Sequence, residues 1–177
     1  MQPRLDILIN CAGWIFAGDL DNTFPQDHDY CMDLNTRAPY VLLNFFQDML
    51  IAGEGCCVNI SCLKGSKPQP GLISYCMSKA GLEMMSKSAA LELARFGVRV
   101  NCVSASYVNT NLYRTAKLTE PEIQSIHQKE CDTNPMQRAA DIEEVCMAVI
   151  HLTSKHSRRI TGQVINVDGG KNLTIRG

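Results

Sequence analysis

The sequence predicts an α/β fold in which helices cover both faces of a parallel sheet. Short apolar runs that end at glycine or small polar residues alternate with longer stretches whose apolar positions recur every three or four residues. Strands that enter a sheet buried on both sides read as continuous apolar runs, and these do. The chain has 177 residues, the size of one domain, and shows no internal repeat, low-complexity tract or domain boundary.

The first strand is expected over 5–9, where an apolar run meets Asn10-Cys11-Ala12-Gly13. Residues 19–29 are acidic and read as loop. Over 30–50, Leu34, Ala38, Val41, Leu42 and Phe45 form one helical face despite Pro39, and Gly53-Glu54-Gly55 stops it. A second strand falls at 56–61, before a loop with Gly65, Pro68, Pro70 and Gly71. The segment 74–96 is rich in Ala, Met, Leu, Glu and Lys and closes at Gly97, a helix with a glycine stop. A third strand follows at 98–103. Residues 105–134 are irregular except for one short helix, announced by the capping sequence Thr119-Glu120-Pro121-Glu122. A helix over 141–152 and a strand over 164–167 complete the pattern before Asp168-Gly169-Gly170.

Composition narrows the function classes. Seventeen basic against eighteen acidic residues leave a net charge of −1, which gives no field to attract a phosphate backbone or an anionic membrane. No apolar stretch approaches a membrane span, and no signal-peptide core precedes the first strand. The reading is an intracellular, cytoplasmic protein, an organelle remaining open, with neither nucleic acid nor membrane as partner. Nine irregularly spaced cysteines, several of them inside apolar runs, read as reduced thiols. Cys56, Cys57 and Cys62 lack the paired spacing of a zinc site, so no metal centre is expected. His28, His127, His151 and His156 are scattered and read as surface or packing residues. Met84-Met85 and Phe45-Phe46 read as core or subunit contacts, and Lys155, His156, Arg158 and Arg159 as a solvated helix end.

Chemistry concentrates at Tyr75-Cys76-Met77-Ser78-Lys79. Tyr75 and Lys79 stand four residues apart, on one helical face. A neighbouring cation favours phenolate, so Tyr75 is expected to have a lowered pKa and to act as general acid or base. Taken alone, the pair reads first as a surface i,i+4 pair at a helix start.

It does not stand alone. Asn10-Cys11-Ala12-Gly13, Asn35, Tyr75 with Lys79, Thr110, Pro135-Met136-Gln137-Arg138, and Ile160-Thr161-Gly162-Gln163 through Asp168-Gly169-Gly170 occur in order. Together they make the sequence resemble the short-chain dehydrogenase/reductase family, most closely its 3-oxoacyl carrier-protein reductase branch, from Leu5 to about Gly170. The resemblance implies a Rossmann-like, doubly wound parallel sheet and hydride transfer between NAD or NADP and a carbonyl or alcohol. It implies that Tyr75 handles the hydroxyl proton, that Lys79 binds the nicotinamide ribose and lowers the Tyr75 pKa, and that Asn35 holds a water leading to Lys79. Asn10, Ala12, Gly13 and Thr110 would join Tyr75 and Lys79 in holding the cofactor, and relatives imply a homodimer or homotetramer.

Three departures stand out. No glycine-rich turn of the dinucleotide-binding kind occurs, because Gly53-x-Gly55 precedes a strand instead of following one. The fold is therefore expected to be incomplete at its N-terminus, lacking the first βα units, roughly sixty to eighty residues, and this chain to hold a dinucleotide weakly or not at all. Cys62 stands where the family's catalytic serine falls, and Ser61 beside it should face the other way. A thiol is a weak hydrogen-bond donor, and no histidine is placed by sequence to activate it as a nucleophile. Ala105-Ser106 replaces the family's Pro-Gly beside the nicotinamide. Two readings follow: an oxidoreductase acting on a small or acyl-type carbonyl, reduced in activity or inactive in this form, or a non-catalytic homologue serving as an assembly subunit.

Overall fold

The computed structural model describes residues 3–116 and 118–174. Strands β1 (Ile7–Asn10), β2 (Cys56–Cys62), β3 (Arg99–Ala105) and β4 (Val164–Val167) lie side by side in sequence order, all parallel. Between β1 and β2 the chain forms α1 (Pro25–Met32), a π-helical turn (Asp33–Arg37) and α2 (Ala38–Gly53); α3 (Ile73–Leu93) links β2 to β3. The long return to β4 carries α4 (Leu112–Thr115), α5 (Glu120–Asp132) and α6 (Ile142–Thr153).

The two-residue period of the strands sorts side chains between two cores. Leu8, Cys57 and Val100 pack with Leu43 and Leu50 of α2 and with Ala90 and Leu93 of α3. Val58, Ile60, Val103 and Ile165 face the opposite side, against Leu152, Val145 and Val149 of α6. Val58, Val100 and Val103 are wholly buried, each contributing about 1.5–3 kcal/mol of apolar transfer. All three crossovers step in the same direction across the sheet, yet α6 lies on the face opposite α2 and α3. The third crossover is therefore opposite in hand to the first two, a departure from the usual rule that the long excursion through α4 and α5 permits.

Four sequence expectations need correction. Helix begins at Pro25, inside the segment read as loop, because proline at the first helical position supplies a preset φ and lacks only an N–H that would go unpaired there. The helical run through residue 53 is interrupted by the π-turn at Asp33–Arg37, which three- and four-residue periodicity does not reveal. The four-residue α4 is too short to leave a periodic signature. Among the described residues, only β2 and β3 are covered on both faces; on β4, Asn166 is exposed. The face of β1 away from α3 is bare, leaving Ile7 and Ile9 44% and 48% exposed.

The end of α2 shows how tightly β1 is attached. Glu54 adopts the left-handed conformation (φ 44°) that stops the helix, while the flanking glycines serve a different purpose. A Cβ on Gly55 would stand 2.5 Å from the Leu5 carbonyl oxygen and 2.8 Å from that of Asp6. The Asp6 carbonyl accepts from Cys56 N at 2.9 Å, where the β1–β2 ladder begins. Gly55→Ala is accordingly expected to destabilise the chain by about 1–3 kcal/mol through overpacking against backbone. Gly71→Ala has open space and meets only the cost of its positive φ, so it should lose less. Urea midpoints of the two variants check the ranking.

Candidate active site

The site grows from the first turns of α3, which cross the carboxyl edge of the sheet. Tyr75 and Lys79 lie on the inner face of this helix, 3% and 4% exposed. The Lys79 ammonium stands 5.7 Å from the centre of the Tyr75 ring and donates to the Ile60 carbonyl at 2.8 Å. Asn35 is fully buried in the middle of the π-turn, whose widened backbone offers its amide to two segments at once. Its Oδ1 accepts from Trp14 N at 2.9 Å, and its Nδ2 donates to the Trp14 carbonyl at 2.8 Å and to Ser78 Oγ at 2.9 Å. Ser78 Oγ donates in turn to the Tyr75 carbonyl. Asn35 thus ties the loop after β1 to the turn of α3 that carries Tyr75 and Lys79. Gly13 lies at the same junction: a Cβ there would sit 3.5 Å from Asn35 Oδ1 and 3.6 Å from Lys79 Nζ.

Beneath α3 runs a polar seam. Asn10 Nδ2 donates to Asn59 Oδ1, Asn59 Nδ2 to Ser86 Oγ, and Ser61 Oγ to Glu83 Oε1, each at 2.7 Å. The side chain of Asn10 is therefore spent on the helix–sheet seam, apart from the group around Tyr75. Ser61 is likewise turned toward Glu83, while Cys62 packs against the cluster of Ile15, Cys31, Leu72 and Tyr75. Trp14, Leu112, Tyr113 and Ala116 close over that same cluster. Thr110 is exposed beyond β3, where its hydroxyl accepts from Leu112 N at the start of α4; Ala12 is exposed beyond β1.

Glu83, Ser78 and Ser86 escaped the sequence reading, although they share the α3 face of Tyr75, Lys79 and Leu82 at helical spacing. Trp14 and Tyr113 escaped because they sit in or beside segments without periodicity. His127 was read as a packing residue; its ring stands edge-on to Tyr107, whose ring centre is 5.3 Å from that of Tyr113.

Electrostatics correct one expectation. Burial pushes the Tyr75 phenol well above its usual 10.0, and adjoining Cys62 and Tyr113 push the same way. Burial also lowers the affinity of Lys79 for a proton. In the chain by itself, Tyr75 is a neutral acid. Burial also raises Cys57 to about 12 and Cys102 to about 11, so both are protonated packing thiols. All nine cysteines are free.

The chain is similar to known proteins over most of its length. A family profile described as Enoyl-(Acyl carrier protein) reductase matches residues 2–172. The 3-oxoacyl-[acyl-carrier-protein] reductase FabG of Rickettsia typhi is 35% identical over 168 residues, covering 94% of this chain and 67% of that protein. An uncharacterized oxidoreductase of Thermotoga maritima is 30% identical with the same coverages. Among solved structures, a gluconate 5-dehydrogenase from Burkholderia cenocepacia, in complex with NADP and tartrate, superimposes with a TM-score of 0.89 at 26% identity, covering 97% of this chain and 66% of that one. A short-chain dehydrogenase/reductase of unknown function from Caenorhabditis elegans, with cofactor, gives 0.90 at 27% identity, covering 98% and 67%. The chain spans about two thirds of the length of the relatives it matches. Among the described residues, no helix is long and apolar enough to cross a membrane.

The raised phenols carry a pH signature. A tyrosine whose folded pKa exceeds its unfolded value contributes stability that is full below about pH 10 and is lost as pH rises through the folded value. Tyr75→Phe should therefore flatten the alkaline fall in stability of the wild-type chain, measured as urea midpoints across that range. An unchanged alkaline slope would show that Tyr75 ionises normally in the fold.

Proposed function

The chain belongs to the short-chain dehydrogenase/reductase family, and from that premise we propose that it transfers hydride between a nicotinamide dinucleotide and a carbonyl or alcohol carbon. The observation that carries this reading is the convergence of a buried phenol, a buried ammonium and a buried amide, Tyr75, Lys79 and Asn35, at the carboxyl edge of the sheet. Ligands of open α/β sheets bind at this edge.

The residues present fit the nicotinamide half of such a cofactor. Lys79 Nζ spends one proton on Ile60 and has two left for ribose hydroxyls. Gly13 leaves the approach beside it free of a side chain, and Ala12 and Thr110 border the same edge. The pyrophosphate half has no counterpart here, because the 177 residues contain no glycine-rich turn. Whether bound as NAD or NADP, the cofactor supplies the hydride.

In the direction of reduction, Tyr75 Oη gives its proton to the oxygen that becomes the alcohol. The burial that raises its pKa keeps that proton in place until the oxygen acquires charge. The Lys79 ammonium then stabilises the phenolate, and Asn35 fixes the helix turn that carries both. Cys62 takes the carbonyl-polarising position with a weak S–H donor, so polarisation falls mainly to Tyr75.

The second reading, a subunit used for assembly, is favoured by a separate observation. Phe45 and Leu91 are 74% and 82% exposed on α2 and α3, accompanied by Tyr40 and Met84. Apolar residues grouped on neighbouring helices suit contact with a second copy. The two readings part on turnover, since the assembly subunit would be non-catalytic.

Assayed at millimolar dinucleotide, Tyr75→Phe should lower turnover about 10²- to 10⁴-fold without weakening cofactor binding, whereas Lys79→Ala should damage both. Cys62→Ser should raise turnover about tenfold, part of what one well-placed donor to an oxyanion contributes. Ser61→Ala should change little. A Tyr75→Phe chain with half its rate would sink the mechanism. Equal inactivity of wild type and variants with dinucleotide bound would leave the assembly reading.

A further inference from the structure

The segment that follows Cys62 is gripped from two sides, and what this grip does for the site rests on the hydride-transfer reading. One side is α3. Leu63 is buried, the backbone turns over Leu63–Gly65, and Gly65 approaches the helix so closely that a Cβ there would stand 2.7 Å from Glu83 Oε1 and 3.1 Å from the Lys79 carbonyl carbon. The N–H groups of Ser66 and Lys67 both donate to the Leu63 carbonyl, at 3.1 and 2.8 Å, and close the turn on itself. A segment packed this tightly moves only if one of its walls gives way.

The other wall is the turn after β4, remote in sequence. Lys67 Nζ donates to the Lys171 carbonyl at 3.2 Å and to the Thr174 carbonyl at 2.6 Å, 104 and 107 residues further on. These carbonyls lie at the short turn Lys171–Leu173, where a cation suits carbonyls left free by the turn. The turn is itself braced. The Asp168 carboxylate accepts from Gly170 N at 3.0 Å and Asn172 N at 2.7 Å, and Asn134 Nδ2 donates to the Asp168 carbonyl at 2.9 Å. A second link runs through α5: Glu130 stands 3.9 Å from Lys64 and 3.7 Å from Lys171, whose ammonium also donates to Thr133 Oγ1. The side chains of Lys64, Glu130 and Lys171 are mostly buried, which strengthens their attraction. Glu130 also adjoins the site, since after burial and Cys62 it pushes up the Tyr113 phenol.

We propose that Lys67 is a positioning residue: by clamping the turn after β4 onto the segment after Cys62, with Glu130 as a second link through Lys64, it holds Cys62 in place beside Tyr75. The rest of the site has its own anchors. Lys79 is fixed by Ile60, and Asn35 holds the turn of α3 that carries Tyr75. Releasing the clamp therefore acts on one member alone. Tyr75 and Lys79 keep their bonds, whereas Cys62 loses the wall that keeps it packed in the cluster of Ile15, Cys31, Leu72 and Tyr75.

Thiol labelling tests the clamp without any turnover. The full chain is treated with N-ethylmaleimide under native conditions, and peptide mass spectrometry follows Cys62 against Cys146, an exposed thiol on α6. Lys67→Met should raise the ratio of the Cys62 rate to the Cys146 rate about tenfold, the order of one hydrogen bond to a charged group. Lys67→Arg, which keeps donors for both carbonyls, should restore the ratio. Glu130→Gln should raise it less, because Lys67 stays in place. Gly55→Ala, weakened at the amino end of β2, should leave it unchanged and so controls for general loss of stability. An unchanged ratio in Lys67→Met, an equal rise in Gly55→Ala, or no rescue by arginine overturns the proposal. In an active chain Lys67→Met should also lower turnover about threefold, the loss of one weak donor, with dinucleotide affinity unchanged. Selective loosening of Cys62 in a chain that transfers no hydride would count against the hydride-transfer reading and leave the clamp standing.

Discussion

A buried ammonium constrains everything around it. Lys79 is almost fully enclosed, and removing its charge from water is tolerable only because Ile60 offers a carbonyl 2.8 Å away. That contact fixes the inner face of α3 at the carboxyl end of β2, one strand position short of Ser61 and two short of Cys62. Once Lys79 is placed, the four-residue spacing brings Tyr75 to the edge of the sheet, and Ser78 between them meets Asn35. The π-turn is the matching concession in the neighbouring helix. It opens the backbone so that one amide can bond the loop after β1 and α3 together.

Much of this was legible in the sequence. The parallel order of strands followed from the alternation of apolar runs and helical faces. The capping box at Thr119 appears as read, its backbone N–H and hydroxyl both donating to Glu122. Tyr75 and Lys79 shared a face by spacing alone. What spacing could not reveal was depth. A tyrosine four residues before a lysine reads as a phenol lowered by a cation, but burial acts on both groups and keeps the proton on the phenol. The π-turn and α4 were hidden for a simpler reason, being five and four residues long, too short for periodicity to register. Pro25 was a helix-start signal masked by its acidic surroundings.

The departures from the family pattern carry unequal weight. Under the proposed function, Cys62 in place of the family's serine would weaken one donor but leave the position filled, in the cluster with Tyr75 and Tyr113. At Ala105-Ser106 the backbone still extends the sheet, with Ser106 N donating to the Val167 carbonyl at 3.2 Å. The bare outer face of β1 is of another kind, since it concerns the sheet and not the chemistry. Ile7 and Ile9 present apolar side chains there, whereas Leu8 and Asn10 on the other face are anchored to α2 and α3 through the core and the polar seam. The chemical end of the sheet is consequently better packed than its first edge.

In the proposed function this arrangement delivers a hydride from a nicotinamide ring to a carbonyl carbon, with Tyr75 supplying the proton. Isotope tracing tests that most directly: the chain is incubated with reduced dinucleotide deuterated at the transferable C4 position and a panel of ketones, and the alcohol is analysed by mass spectrometry. The account predicts deuterium on the carbinol carbon and none on the hydroxyl after exchange into ordinary water, with labelled product largely lost on Tyr75→Phe. Alcohol without deuterium at that carbon, or equal labelled product from the Tyr75→Phe chain, would contradict it.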